Sequence, residues 1–399
     1  MDTYLSNGSK VARISLTSRS NLACCEIPMQ SLYFYNRRAE ATALRETEAK
    51  MERNGWAVIG ASTIAREYIV NAVRLCGGDI RWIVSSDLGR ARYFAIELGI
   101  PFATNDLSQA LDDCEVDHVY VGSANSSHKA QVIESARAKK NILCEKPIAT
   151  SLVDAVEMVE ACAESGVVLG INHHLRAKSA HEQIKRSLQS GLIGDVRSMT
   201  VLNASLLRPS LQTWRIKNVE EGGIYLDLSV HSIDLARYLL EQEPTSASGI
   251  GGTLMLGGNG IHDHIMYTIK MSGGAFLQCH ESFVSANVTT RLTILGSEGS
   301  IVAESMMGQS SGGRLLHQSN RGIAEIPFEC NDAYVGTIRS FLNAIAHGTS
   351  PLATGEDAIK ALIGASAVHR AVSLGETVEV DVIRATFARS SGFGEHAAM

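Results

Sequence analysis

The chain has 399 residues, 45% of them hydrophobic and 20% charged, which suits two domains with sizeable cores and excludes a wholly disordered chain. A formal net charge of -6 gives no reason to expect nucleic acid or an anionic membrane as partner, and no apolar run approaches the roughly 20 residues of a membrane span. The eight cysteines are scattered without CxxC or zinc-knuckle spacing and read as free thiols of a reducing, cytoplasmic compartment.

Residues 1–53 show no sustained periodicity and no basic segment leading into an apolar one, so a secretory signal is not expected. They read as a disordered extension or a mis-called start, with Met51 as the natural beginning. Strand Trp56–Ile59 then runs into Gly60 and a helical pattern, Ile64–Leu75. Strand Ile80–Val84, helix Ala91–Leu98, strand Phe102-Ala103, helix Ser108–Leu111, strand Val116–Gly122, helix His128–Lys139 and strand Asn141–Cys144 follow, then helix Leu152–Ser165 and strand Val167–Ile171. This alternation predicts a doubly wound parallel sheet of Rossmann type over residues 54–172, with ligands at the carboxyl ends of its strands.

After Asn172-His173-His174-Leu175-Arg176 and a helix over 180–189, the pattern from Val196 to Glu304 is mostly strand-like with glycine punctuation. One helix, Ile224–Leu240, interrupts it, and helices over 334–347 and 355–374 close the chain. An α+β domain with a large, mostly antiparallel sheet is expected over 173–385. Helix 355–374 is a candidate to pack back on the first domain, and residues 386–399 read as a disordered tail.

Gly60-x-Ser62-x-x-Ala65 is a degenerate dinucleotide fingerprint at a strand-to-helix turn. The amides of Gly60, Ala61, Ser62, Thr63 and Ile64 would face a pyrophosphate, which the helix dipole favours. Strand two ends in Ser85-Ser86, with Arg90 beyond, where an NAD-binding fold usually carries an acid. Serine and arginine suit a 2′-phosphate, so NADP(H) is preferred. Asp87 keeps NAD(H) open.

Strand five ends in Glu145-Lys146-Pro147, a charged pair at the ligand edge. Lys146 can reach both a nicotinamide ribose and a substrate carbonyl, and its charge suits a developing alkoxide. Asp227, His231 and Asp234 share one helix face, and an imidazole suits proton exchange near neutrality; the spacing also fits a capping or core histidine. Neither HExxH nor Cys-rich spacing is present, and no metal is expected.

These residues together resemble the glucose–fructose oxidoreductase/inositol dehydrogenase/rhizopine-catabolism (Gfo/Idh/MocA) family. The resemblance runs from Asn54 to Val380 and rests on Glu145-Lys146-Pro147, Asn125-x-x-His128 and Asp227-x-x-x-His231-x-x-Asp234. Phrases such as Asn172-His173-His174-Leu175-Arg176, Leu211-Gln212-x-Trp214-Arg215 and Ala353-Thr354-Gly355-Glu356-Asp357 are similar to family members that reduce an anhydro-ketose. The resemblance implies NADPH-dependent reduction of a sugar ketone of the 1,5-anhydro-D-fructose kind. Oxidative dehydrogenation of a sugar or inositol, or a non-catalytic nucleotide-binding regulator, are the alternatives. It implies that Lys146 bridges cofactor and substrate, that His231 donates the proton and that Asp227 holds a hydroxyl. Ser62, Ser85, Ser86, Arg90, Asn125, His128 and Glu145 are placed with the cofactor, and His173, His174, Arg176, Trp214 and Arg215 with the sugar. The open face of the second sheet is the expected surface for a homo-oligomer. Ser232 stands where closer relatives carry an acid, which leaves the substrate less defined than the reaction.

Overall fold

The apolar segments of the first half form six parallel strands: β1 (Gly55–Ile59), β2 (Asp79–Val84), β3 (Phe102–Thr104), β4 (His118–Val121), β5 (Asn141–Cys144) and β6 (Leu169–Ile171). In this computed structural model, which describes residues 54–391 except 259, 310 and 311, they pair in the order β3-β2-β1-β4-β5-β6. Strand β1 is buried along its length, as a strand with helices on both faces must be. The order reverses between β1 and β4, so a crevice opens at their carboxyl ends. The connecting helices are α1 (Val70–Leu75), α2 (Leu88–Leu98), α3 (Leu107–Leu111), α4 (His128–Arg137) and α5 (Leu152–Ser165). Asp87 and Ser151 cap α2 and α5 by accepting from the amides of Arg90 and Asp154.

The second half begins with α6 (Ser179–Gln189) and β7 (Val196–Ala204), followed by α7 (Trp214–Lys217) and α8 (Val230–Leu240). Strands β8 (Pro244–Gly252), β9 (His264–Met271), β10 (Phe276–Ser282), β11 (Arg291–Gly296), β12 (Ser300–Glu304), β13 (Arg314–Ser319) and β14 (Gly322–Glu325) come next. Helices α9 (Ala333–His347) and α10 (Gly355–Leu374), strand β15 (Val378–Glu379) and helix α11 (Val380–Ser391) complete it. Nine strands form one sheet, antiparallel throughout except where β10 runs parallel to β7.

Strand β9 shows why one face is covered. Ile265, Tyr267, Ile269 and Met271 point into a core shared with α8 and α10, while Met266, Thr268 and Lys270 point outward. On the outer face Ile250, Met266, Phe276 and Leu295 are exposed, the first two lining a concavity of about 630 Å³.

Helices α9 and α10 also pack on the first sheet. Tyr334, Ile338 and Phe341 join the cluster around Trp56 and Val58, and Ala358 and Leu362 join the one around Ala57 and Val119 on the other face. Two features differ from the sequence expectations. The helices entered at Ala65–Ile69 and Tyr225–Ser229 open with π-type turns. Helix α11 runs to Ser391, so residues 386–391 are helical where a tail was expected. The readings for residues 1–53 and 392–399 lie outside the described residues.

Candidate active site at the strand ends

Gly60 sits at the reversal point with φ +104°, and a Cβ there would lie 2.5 Å from the carbonyl oxygen of Gly122. Only glycine lets the ends of β1 and β4 approach this closely. Ala61, Ser62, Thr63 and Ile64 carry the chain into the π-turn, where the Ser62 hydroxyl accepts from the Ala65 amide at 3.3 Å. The first amides of this helix have no preceding carbonyls and form an anion site.

At the end of β2 Ser85 is nearly buried, and Ser86 and Arg90 are exposed at the rim. Asp87 caps α2, accepting from the Arg90 amide at 2.6 Å. The acid nearest the strand end is thus committed to the helix. These residues fit a dinucleotide: a glycine turn that no Cβ can enter, open helix amides, and hydroxyls with a cation beside the second strand.

Glu145 braces the end of β5. Its Oε1 accepts from the Tyr120 hydroxyl at 2.7 Å and from Asn172 Nδ2 at 2.5 Å. The Lys146–Pro147 peptide is cis. Lys146 Nζ donates to both the side-chain Oδ1 and the backbone carbonyl of Asp227, each at 2.9 Å. Asp227 Oδ2 lies 3.4 Å from Arg215 Nε, and the Arg215 guanidinium covers the Trp214 ring at 4.5 Å. Burial alone would raise the Asp227 carboxyl, but Lys146 and Arg215 hold it below its ordinary value. Two residues 81 positions apart, one from each half, therefore form the polar centre of the cleft.

One turn along, His231 meets His174 edge-on at 5.2 Å and His173 at 6.2 Å. His174 stacks on Tyr334 at 4.7 Å. Burial, then the Lys146 ammonium and the two neighbouring imidazoles, push His231 well below its usual pKa. Burial takes His173 down to about 4 and His174 to about 3, so the cluster is neutral at pH 7.

Two sequence expectations are corrected. His128 is fully buried, with Nδ1 at 3.1 Å from the Pro147 carbonyl, so it supports the turn carrying Lys146 and cannot touch a cofactor. Arg176 is also buried, bonded to Asp234 at 2.7 and 2.9 Å, to Asp357 at 3.0 Å and to the Leu352 carbonyl, so it faces the protein interior and not a sugar. Asn125 is nearly buried and donates to the Glu221 carbonyl at 2.9 Å, tying the first half to the loop ahead of Asp227. Tyr120, Asn172, Tyr334 and Asp357 also shape the site. Their partners are remote in sequence, and only the Thr354-x-x-Asp357 capping pattern is a local signal for any of them.

Among the described residues no group of three or more His, Cys, Asp or Glu is arranged to hold a metal, and no helix is long and apolar enough to cross a membrane. No disulfide joins the six described cysteines.

Residues 55–173 match the model of an oxidoreductase family with an NAD-binding Rossmann fold, and residues 181–302 match the GFO/IDH/MocA C-terminal domain. A 1,5-anhydro-D-fructose reductase of Ensifer adhaerens is 36% identical over 82% of this chain and 99% of its own length. A myo-inositol 2-dehydrogenase of Thermotoga maritima is 26% identical over 74% of this chain and 89% of its own. The crystal structure of an aldose-aldose oxidoreductase from Caulobacter crescentus, 24% identical, superposes with a TM-score of 0.76 over 82% of this chain and 99% of that one, a likeness of fold. With its wound nucleotide sheet, open second sheet and Lys146–Asp227 centre, the chain belongs to the Gfo/Idh/MocA family of oxidoreductases.

Proposed function

We propose that this oxidoreductase reduces a sugar ketone of the 1,5-anhydro-D-fructose kind to the alcohol, with NADPH as the preferred reductant. The observation that carries the reading is the pairing of Lys146 with Asp227 at 2.9 Å at the strand ends, one helical turn from His231. The 36% identity to a reductase of that name supports the substrate class. When bound, NADPH supplies the hydride. Asp227 holds the Lys146 ammonium toward the carbonyl oxygen, where its charge offsets the oxyanion formed as the C=O electrons move onto oxygen. In the minority form that its depressed pKa leaves protonated, His231 delivers the proton to that oxygen, and as the neutral imidazole it takes the proton back in the reverse direction. Trp214 and Arg215 wall the sugar side, with His173 and His174 behind His231. Hydroxyl-by-hydroxyl pairing there sets specificity, because a wrong sugar leaves buried polar groups unpaired.

NADPH is favoured over NADH because Ser85, Ser86 and Arg90 offer donors and a cation, while Asp87 is occupied in capping α2. A second reading, a dehydrogenase acting oxidatively, draws support from the depressed pKa of His231, which leaves a neutral imidazole ready as a base. The exposed apolar residues of the second sheet's outer face suit a second copy of the chain. Initial rates with NADPH plus 1,5-anhydro-D-fructose, set against NADP+ plus anhydro-polyols and inositols, test the direction. Lys146→Ala should lower kcat by at least about 1,000-fold, a loss of about 4 kcal/mol of transition-state stabilisation, with NADPH affinity nearly intact. Retention of most of kcat would remove lysine from the chemistry. NADPH binding without turnover of any of these compounds would favour a regulator.

A further inference from the structure

Beneath the helix that carries Asp227 and His231 lies a polar group that the reaction does not use. Glu281, on β10, is fully buried on the core side of the second sheet. Its Oε2 accepts from the Ser229 hydroxyl at 2.5 Å and its Oε1 from the Tyr267 hydroxyl at 3.0 Å. Ser232, also fully buried, is the third hydroxyl facing it. Among the described residues no Lys, Arg or His pairs with it. The surrounding cluster, with Ile265, Leu277, Cys279 and Phe283, would accept an apolar side chain at 281 and alanine at 229. A buried carboxyl without a cation costs stability, and burial pushes this one up to about 7 against the three hydroxyls.

The placement of Ser229 accounts for that cost. It is the last residue of the π-turn Tyr225–Ser229, two positions after Asp227 and two before His231, so it projects from the opposite side of the helix. A π-turn is wider than an α-turn and less favourable, and persists where something holds it. Asp227 lies inside this turn and presents both its carboxylate and its backbone carbonyl to Lys146 Nζ. We propose that Glu281 is a positioning residue: through Ser229 it fixes the π-turn from behind, and so sets where Asp227 holds the Lys146 ammonium. Tyr267 anchors the same carboxylate from the neighbouring strand, and its hydroxyl also acts on Ser229.

The inference rests on the role given to Lys146, so its test carries a readout that does not need turnover. The full chain is compared with Ser229→Ala, which cuts the link to the helix, and Tyr267→Phe, which removes the second hydroxyl but keeps the Ser229–Glu281 hydrogen bond. Lys146 acetylation by a water-soluble amine reagent is followed by mass spectrometry, with kcat and KM for ketone and NADPH alongside. Ser229→Ala should speed Lys146 labelling about 5- to 10-fold and lower kcat about 10-fold, with KM for NADPH within twofold. Tyr267→Phe should leave labelling within twofold whatever its effect on Tm. Equal, unaltered labelling in both variants overturns the proposal. Should Ser229→Ala fail to fold, Glu281→Leu, which removes the acceptor that Ser229 bonds, is read by the same criteria. Faster labelling in a protein with no turnover on any sugar would leave the positioning role standing and refute the proposed reaction.

Discussion

Glu281→Gln keeps the shape of a buried side chain and removes its titration. In the fold the carboxyl sits at about 7, against 4.5 when exposed. The native state therefore binds this proton more tightly than the unfolded chain does. The stability that follows is fully present below pH 4.5 and is lost as pH rises through 7. Between pH 5 and 8.5 the loss amounts to about 2–3 kcal/mol, since each tenfold difference in proton affinity between the two states is worth about 1.4 kcal/mol. An amide at this position does not titrate, so the variant should gain on the native protein by that amount over the same range. At about 2.1 cal/mol/K per residue for a chain of this size, that is a relative rise in Tm of about 3–4 °C. Thermal melts of both proteins at half-unit steps of pH check it. Two Tm curves that run parallel from pH 5 to 8.5 would refute the reasoning.

Gly60→Ala places a Cβ 2.5 Å from the Gly122 carbonyl at φ +104°; with strain of about 1–3 kcal/mol at the turn, NADPH affinity by fluorescence titration should fall at least about 10-fold. Arg176→Met leaves Asp234 buried without its double hydrogen bond, so denaturant melts should show a loss of about 3–5 kcal/mol, with KM for the sugar unchanged in the folded fraction. Because His231 is held well below its usual pKa, the reductive kcat should fall steadily as pH rises from 6 to 8 and the oxidative kcat should be flat there; a reductive plateau with a midpoint near 7 would contradict this.

The nucleotide half was readable from sequence because its signals are local. Buried parallel strands are short apolar runs, and Gly60 and Lys146 stand at their ends. That Lys146 and Asp227 serve one site followed from the resemblance and not from spacing, and their direct pairing, across 81 residues, is visible only in the fold. Arg176 and His128 were misplaced for the same reason. A polar residue in a motif looks like a ligand-binding group until its buried partners, Asp234 and Asp357 or the Pro147 carbonyl, are known. The π-turns were invisible because turn width leaves no mark on hydrophobic period. Glu281 reads as one more strand residue until Ser229 comes to face it.

The first sheet takes its cover from distant parts of the chain. Phe341 of α9 packs against Trp56 with ring centroids 5.7 Å apart, and Leu362 of α10 lies in the cluster on the sheet's opposite side. An excised fragment ending near residue 172 would bare apolar surface above and below its strands. The nucleotide half is therefore no autonomous module: it is finished only when the last third of the polypeptide has been made, so a ribosome-bound nascent chain shorter than that should hold it incompletely folded.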